Sequence, residues 1–496
     1  MERDFLARGA SPSSLPGQSL QAALPADVQT VQFAHLLETR ELANLHDFLS
    51  STAFVISHKS ESTETLLRVL WYIPVNSTIL VVTNCPAEER ADLVNTLKNR
   101  LANHRKTYVV HQKDVEIANL FKSVGVPHIL GADGKVKNGK GEGMYIGALA
   151  AHLLDYPRWL IFYDADNFVP SALLEYTLAM CKLFLPAPEP NHTENAQIAP
   201  QALSELHNVR ICWASKPDLD NPNWDERIMG RTTRVVSPVF ESLLAGWFGI
   251  NDQPISSSNA GEQGLTIKAA TSLRFSSGFS VETFLLLDLL FQATTWEGQA
   301  ERITVQQYLS QSPHFHEKKD EEHIKLMIEE SLGCFFAFEQ SLPSNVKHEL
   351  QRVYAEFELG RVDPIIYPAL QDLPLEPYKT LMEHYALFTD EQQQEMLTTT
   401  PYQEILPVET ALPAFIPVEV ALQELLPADS HYQTAEANLQ ELVTAGPATQ
   451  DALCAEANLQ EILVVKPEGQ ETPATEVNNP LLLISEAGYQ NFLMSD

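Results

Sequence analysis

The chain has 496 residues, 44% of them hydrophobic, and a formal net charge of −32, enough sequence for about two or three domains with a sizeable core. That charge repels a nucleic-acid backbone over most of the surface, so no nucleic-acid partner is expected, but a local cluster of Lys and Arg would still admit an anionic small substrate. No apolar run reaches the roughly eighteen residues of a membrane span. The start, Met1-Glu2-Arg3-Asp4-Phe5, lacks a basic-then-apolar signal pattern. Cys85, Cys181, Cys212, Cys334 and Cys454 are scattered, with neither metal-knuckle nor disulfide-framework spacing, so a reducing cytoplasm is the expected location.

Residues 1–25 contain Ser, Pro and Gly without clear periodicity and read as a flexible segment. Over 28–49 the apolar spacing predicts one or two amphipathic helices. A strand over 53–57, a helix over 63–71, a strand over 78–83, a helix over 87–102 and a strand over 107–110 follow in order. A Gly/Lys loop, Lys137-Asn138-Gly139-Lys140-Gly141-Glu142-Gly143, then leads into a predicted helix over 144–154. The next strand, Trp159-Leu160-Ile161-Phe162-Tyr163, ends in Asp164-Ala165-Asp166-Asn167. This alternation predicts an α/β domain over 26–282, a doubly wound and mostly parallel sheet. Ligands of such sheets sit at the carboxyl ends of the strands, where Lys59, Asn84, Gln112 and Asp164 fall.

From about residue 283 the pattern turns helical, over 284–292, 321–341, 346–359 and on to about 396. Residues 283–398 therefore read as a helical subdomain packed on the sheet and completing the site. Beyond this, Gln-Glu units recur at Gln403, Gln423, Gln440 and Gln460, and Ala-Glu-Ala-Asn-Leu-Gln-Glu appears at Ala435 and Ala455. Lys466 is the only Lys or Arg in 399–496. Short, acidic, Pro-interrupted repeats are expected to form a largely disordered tail, whose partner, if it has one, the sequence does not name.

The strand-end carboxylates carry the chemistry. Residues two apart on an extended segment point the same way, so Asp164 and Asp166 can approach one hard cation, magnesium or manganese. Alone, an Asp-x-Asp triplet is commonly a solvated turn; the apolar strand before it and the Gly/Lys loop make a metal site the stronger reading. Further segments accompany it: His58-Lys59-Ser60-Glu61, Trp213-Ala214-Ser215-Lys216, Gly230-Arg231-Thr232-Thr233-Arg234, Asn259-Ala260-Gly261-Glu262-Gln263-Gly264, Ser276-Ser277-Gly278-Phe279-Ser280-Val281-Glu282 and Ser312-Pro313-His314-Phe315-His316-Glu317.

In this order, over roughly residues 30–395, these segments resemble the mannosyl-3-phosphoglycerate synthase family, whose members show GKGEGM, DADN, NAGEH, GxxVE and NPHFHE motifs. The resemblance implies a GT-A type glycosyltransferase that moves mannose from GDP-mannose to 3-phosphoglycerate with retention, using a divalent cation. It maps metal binding onto Asp164 and Asp166, with His314 or His316 as a further ligand, the choice between them open. Lys140, Gly141, Glu142 and Gly143 correspond to the family's Gly/Lys/Glu loop, where Lys140 would reach a phosphate. Arg231 is the candidate for the acceptor's phosphate and carboxylate, which suit a guanidinium fork, and joins Asp164 and Asp166 as candidate catalytic residues. Lys59 and Glu61 are placed for base or ribose contact, Asn84 and Gln112 for other substrate contacts, and Glu262 and Glu282 for the sugar. A homodimer is left open.

The chain departs from the family pattern in three places. Lys59-Ser60-Glu61 stands for Lys-Asn-Glu, Lys137 for an Arg before the loop, and Gln263-Gly264 for the His after Gly-Glu. No covalent nucleophile stands out, which is compatible with front-face attack at the sugar. The alternatives are another metal-dependent nucleotide-sugar transferase, such as a glucosyl-3-phosphoglycerate synthase, and a haloacid-dehalogenase-type phosphatase with Asp164 as nucleophile. The latter class wants Thr or Val where Phe168 stands, and its motif normally ends the first strand.

Overall fold

Neighbouring residues of a strand face opposite ways, and here both directions lead into apolar cores. In the strand Thr52–His58, Ala53 and Val55 join one core while Phe54 and Ile56 join the other; Thr78–Thr83 divides likewise, Leu80 and Val82 against Ile79 and Val81. Burial on both sides is the signature of a parallel sheet covered by helices on each face. The computed structural model describes residues 26–32, 45–101, 106–167, 169–185, 206–214, 230–251, 253–295, 303–314 and 320–389. By its internal contacts the chain divides into Met1–Leu406 and Pro407–Asp496, and every described residue belongs to the first unit. The expected flexible segment at 1–25 and the acidic tail at 399–496 lie outside the described residues.

The strands are β1 (Ala26–Gln32), β2 (Thr52–His58), β3 (Thr78–Thr83), β4 (Thr107–His111), β5 (Trp159–Asp164), β6 (Leu206–Ala214), β7 (Gln263–Thr266), β8 (Phe275–Ser276), β9 (Ile303–Pro313) and β10 (Ile366–Tyr367). Eight of them form one sheet in the order β1-β9-β6-β7-β5-β2-β3-β4, and β8 pairs with β10 apart from it. Among the described residues only β7 runs antiparallel within the large sheet, between β5 and β6. All the other strands therefore end on one edge, and β7 begins there. The helices Lys140–Leu153, Arg231–Phe248, Ser280–Thr295 and Glu321–Phe336 supply the core on one face, and Thr63–Trp71 and Ala172–Phe184 that on the other. The doubly wound, mostly parallel α/β sheet is as expected.

Three element readings are corrected. Residues 28–32, read as the start of a helical stretch, belong to β1, because parallel pairing with β9 from Ala26↔Ile303 to Gln32↔Leu309 outweighs the local helical spacing. β9 itself lies in the region read as helical and is inserted between β1 and β6. The helix expected up to 396 gives way, within the described residues, to short 3-10 turns at Glu376–Tyr378 and Leu381–Tyr385. Pro368, Pro374 and Pro377 remove backbone donors there and stop a regular helix. After these turns the chain reaches the outer side of β4, where Ala386 bridges Tyr108 and Leu387 N–H donates to Thr107 O at 2.7 Å.

Candidate active site

The helix Lys140–Leu153 starts four residues before its predicted beginning, so Lys140, Gly141, Glu142 and Gly143 form its first turn rather than a free loop. Glycine permits this. A Cβ at Gly141 would overlap Ser276 O, and one at Gly139 would overlap Glu142 Oε2. The helix start can thus press against 276–278, where Gly141 N–H donates to Gly278 O at 2.9 Å. Glu142 is buried, with Tyr367 O–H donating to Oε1 at 2.7 Å and Gly278 N–H to Oε2 at 3.2 Å. Both of its oxygens brace the fold around the site.

Beside this turn, Lys140 Nζ sits 2.6 Å from Asp164 Oδ1 and 2.6 Å from Glu282 Oε1. Burial alone would lower the pKa of this ammonium, but the Asp164 and Glu282 charges outweigh it and hold the group protonated well above its ordinary range. Glu282 is pushed up by burial, against the pull of Lys140. The backbone of Gly261 passes over the three charged tips: a Cβ there would lie 2.5 Å from both Asp164 Oδ2 and Lys140 Nζ.

The next residue, Glu262, is fully buried. The Trp213 indole N–H donates to its Oε2 at 2.6 Å, while Oε1 has no hydrogen-bond partner among the described residues. Burial first, then the Asp164 charge, raises this carboxyl well above the usual range. His314 is 2% exposed, its ring stacked on Trp213 with centroids 4.0 Å apart and 7° between planes, and its Nδ1 lies 3.7 Å from Glu262 Oε2. Asp166 is half-buried two residues beyond Asp164, and its charge is felt at Glu262. His316 lies outside the described residues.

No three His, Cys, Asp or Glu side chains among the described residues converge closely enough to hold a metal by themselves. The chemistry of Asp164 and Asp166 nonetheless fits magnesium or manganese, which take hard carboxylate oxygens and complete their shells with substrate phosphate and water.

Sequence reasoning missed Arg210. This residue is fully buried on β6, where Nε and Nη2 donate to Ser257 O at 3.0 and 2.8 Å, Nη2 to Glu282 O at 2.8 Å, and Nη1 to Gln263 Oε1 at 2.8 Å. Burial pushes its pKa down to about 10. The guanidinium ties together the segments carrying Glu262 and Glu282, and Gln263, where the chain departs from the family pattern, serves as one of its acceptors. The available signal was an arginine inside the run Val209-Arg210-Ile211-Cys212.

The ends of β2, β3 and β4 bring the remaining candidates to the same edge. His58 is buried between Thr83 Oγ1 and Glu61 O, each at 2.9 Å. Glu61 Oε2 accepts from Lys59 N–H at 2.7 Å. Asn84 donates to Asn138 Oδ1 at 2.9 Å, and Gln112 Nε2 donates to Lys137 O at 2.6 Å and Gly139 O at 3.2 Å, fixing the approach to Lys140. Arg231 opens the helix Arg231–Phe248 and pairs with Glu321.

His111, at the end of β4, supplies a pH test. Its Nε2 lies 2.9 Å from Cys85 O, and its Nδ1 accepts from Lys113 N–H at 3.1 Å, which requires neutral imidazole. Burial, opposed by the Cys85 carbonyl and aided by Arg90, lowers its pKa. The unfolded chain then binds more protons, so this contribution to stability is complete above about pH 6.5 and is lost as pH falls toward the folded value. The melting temperature should drop between about pH 7 and 5, and His111→Gln should flatten that slope. An unchanged slope would remove His111 from the account.

The model of the family described as mannosyl-3-phosphoglycerate synthase (osmo_MPGsynth) matches residues 20–382. A mannosyl-3-phosphoglycerate synthase of Pyrococcus furiosus is 28% identical over 331 residues, covering 64% of this chain and 79% of that protein. One of Aeropyrum pernix is 29% identical over 304 residues, covering 59% and 74%. Among solved structures, a glucosyl-3-phosphoglycerate synthase from Mycobacterium tuberculosis in complex with Mn2+, uridine-diphosphate and phosphoglyceric acid aligns with a TM-score of 0.41 at 14% identity, over 70% of this chain and 99% of that one. With the family match running from before β1 to the turns beneath β4, the chain belongs to the mannosyl-3-phosphoglycerate synthase family.

Proposed function

We propose that this chain transfers mannose from GDP-mannose to 3-phosphoglycerate with retention, forming mannosyl-3-phosphoglycerate. The observation that carries this reading is the meeting of Lys140, Asp164 and Glu282 under Gly261, at the strand ends of the region the family match spans. A divalent cation held by Asp164 and Asp166, with His314 or His316 as a further ligand, would neutralise charge on the departing diphosphate. Lys140 adds a positive charge at the same edge. Glu262, whose Oε1 has no partner among the described residues, and Glu282 can hydrogen-bond the sugar hydroxyls. Lys59 and Glu61 contact the base or ribose, with Asn84 and Gln112 shaping that end. Arg231 takes the acceptor's phosphate or carboxylate. Glu282 is paired with Lys140 and so is a poor nucleophile, which is compatible with front-face attack at the sugar.

Incubation with GDP-mannose, GDP-glucose or UDP-glucose, each with 3-phosphoglycerate, tests the reading. A phosphorylated glycosyl product should form fastest from GDP-mannose. Phosphate release without sugar transfer would favour the phosphatase alternative instead. Cys85, Cys181, Cys212 and Cys334 are free and buried, which suits a reducing cytoplasm.

The tail should not be needed for turnover. A protein ending near Thr398 retains the β4 cover at Ala386 and Leu387 and should keep kcat and KM within about twofold, as independent segments do. A lower acceptor KM at low salt would instead mean that the acidic segment competes with the anionic acceptor. Loss of folding would make the repeats part of the core.

A further inference from the structure

The position of His314 depends on a break in β9. The register between β6 and β9 runs regularly to Cys212↔Leu309 and resumes only at Ala214↔Pro313, so β9 advances four residues while β6 advances two. A bulge of this kind bends the strand and takes backbone donors out of the ladder. Two of those donors, Gln311 N–H and Ser312 N–H, go to Glu175: the first to Oε1 at 2.7 Å, the second to Oε2 at 2.9 Å. The Tyr308 hydroxyl, from a fully buried side chain, also donates to Oε1, at 2.7 Å. Glu175 sits on the helix Ala172–Phe184, the element that follows the strand ending at Asp164 and the turn carrying Asp166.

We propose that Glu175 is a positioning residue. Its carboxylate holds the β9 bulge so that His314 lies flat on Trp213 and faces Glu262, and through its helix it fixes His314 relative to Asp164 and Asp166. A carboxylate suits this task because it offers acceptor oxygens in a rigid plane to donors that have lost their strand partner. The significance for turnover rests on the transferase reading, but the placement of His314 does not.

The full chain, labelled with 13C-histidine and free of substrate and metal, gives the test. His314, assigned by the signal lost in His314→Gln, should resonate upfield because it lies over the Trp213 ring. Glu175→Gln keeps the size of the side chain but turns an amide N–H2 toward one of the backbone donors. In that variant the signal should move back toward ordinary histidine positions while the melting transition stays cooperative. Tyr308→Phe, which removes one donor and no charge, should move it the same way by less. In the transferase assay Glu175→Gln should lower kcat about tenfold, the scale of lost outer support around a metal site. Added to His314→Gln it should cost no more than about a further twofold, because both act through one side chain.

An unmoved His314 signal in Glu175→Gln, or full additivity of the two substitutions, overturns the proposal. If Glu175→Gln does not fold, an unmoved signal in Tyr308→Phe overturns it equally. Absence of transfer from every donor would sink the transferase reading, and the histidine spectrum would still decide the role of Glu175.

Discussion

Asp164→Ala and Asp166→Ala should each lower turnover by at least about a hundredfold, the scale on which loss of one electrostatic stabiliser is felt. Chelation should stop transfer, and magnesium or manganese should restore it. The two variants should nevertheless differ in stability. Asp164 is half of the grip on Lys140, so removing it leaves a largely buried ammonium with Glu282 alone, and breaking a buried pair costs about 3–5 kcal/mol. Asp166 carries no such burden toward Lys140, whose ion pairs are with Asp164 and Glu282. The melting temperature of Asp164→Ala should therefore fall well below that of Asp166→Ala. Full activity in excess chelator would remove the cation from the mechanism, and an Asp164→Ala melting temperature equal to that of the unaltered protein would show that the Lys140 bridge contributes little to folding.

Arg210→Met should be the most damaging substitution away from the reacting groups. The side chain fits the volume but abandons Ser257 O, Glu282 O and Gln263 Oε1, all buried. An unsatisfied buried acceptor costs about 1–3 kcal/mol, offset in part by no longer burying a charge, so a net loss of about 3–5 kcal/mol is expected from denaturant unfolding. Arg210→Lys should not rescue it, because one ammonium cannot span the three acceptors that the planar fork reaches. A loss under about 1 kcal/mol would mean that water or backbone shifts satisfy those groups in its place.

How far the sequence could be read follows from which forces are local. The strand-and-helix alternation through Asp164 was legible because each strand is apolar on both faces and short, and Asp164 ends β5 as its position in the run implies. β1 and β9 were not, since their paired residues, such as Ala26 and Ile303, are 277 positions apart and the pairing, rather than any residue pattern, makes Ala26–Gln32 a strand. Within the site, Lys140 and Asp164 were recognised singly, but the 2.6 Å contact between them depends on how a helix start meets a strand end. The upward push on the Glu262 carboxyl belongs to the same class, because it comes from burial that only the folded chain creates. Arg210 was passed over because an arginine in an apolar strand looks like an exception until the carbonyls around it are known. The need for a glycine at Gly141 was likewise hidden, because it comes from the approach of Ser276 O.

The cover on β4 bears on how this protein is made. β4 is the last strand on its side of the sheet, and its outer backbone is met by Ala386 and Leu387. During synthesis Thr107–His111 leaves the ribosome long before those residues exist. Until they arrive, the nascent sheet carries a bare strand edge, the kind of surface that recruits a neighbouring chain. Slow translation, or a stall anywhere before Leu387, should therefore yield aggregates built through β4, whereas a chain released after Leu387 can close that edge with its own backbone.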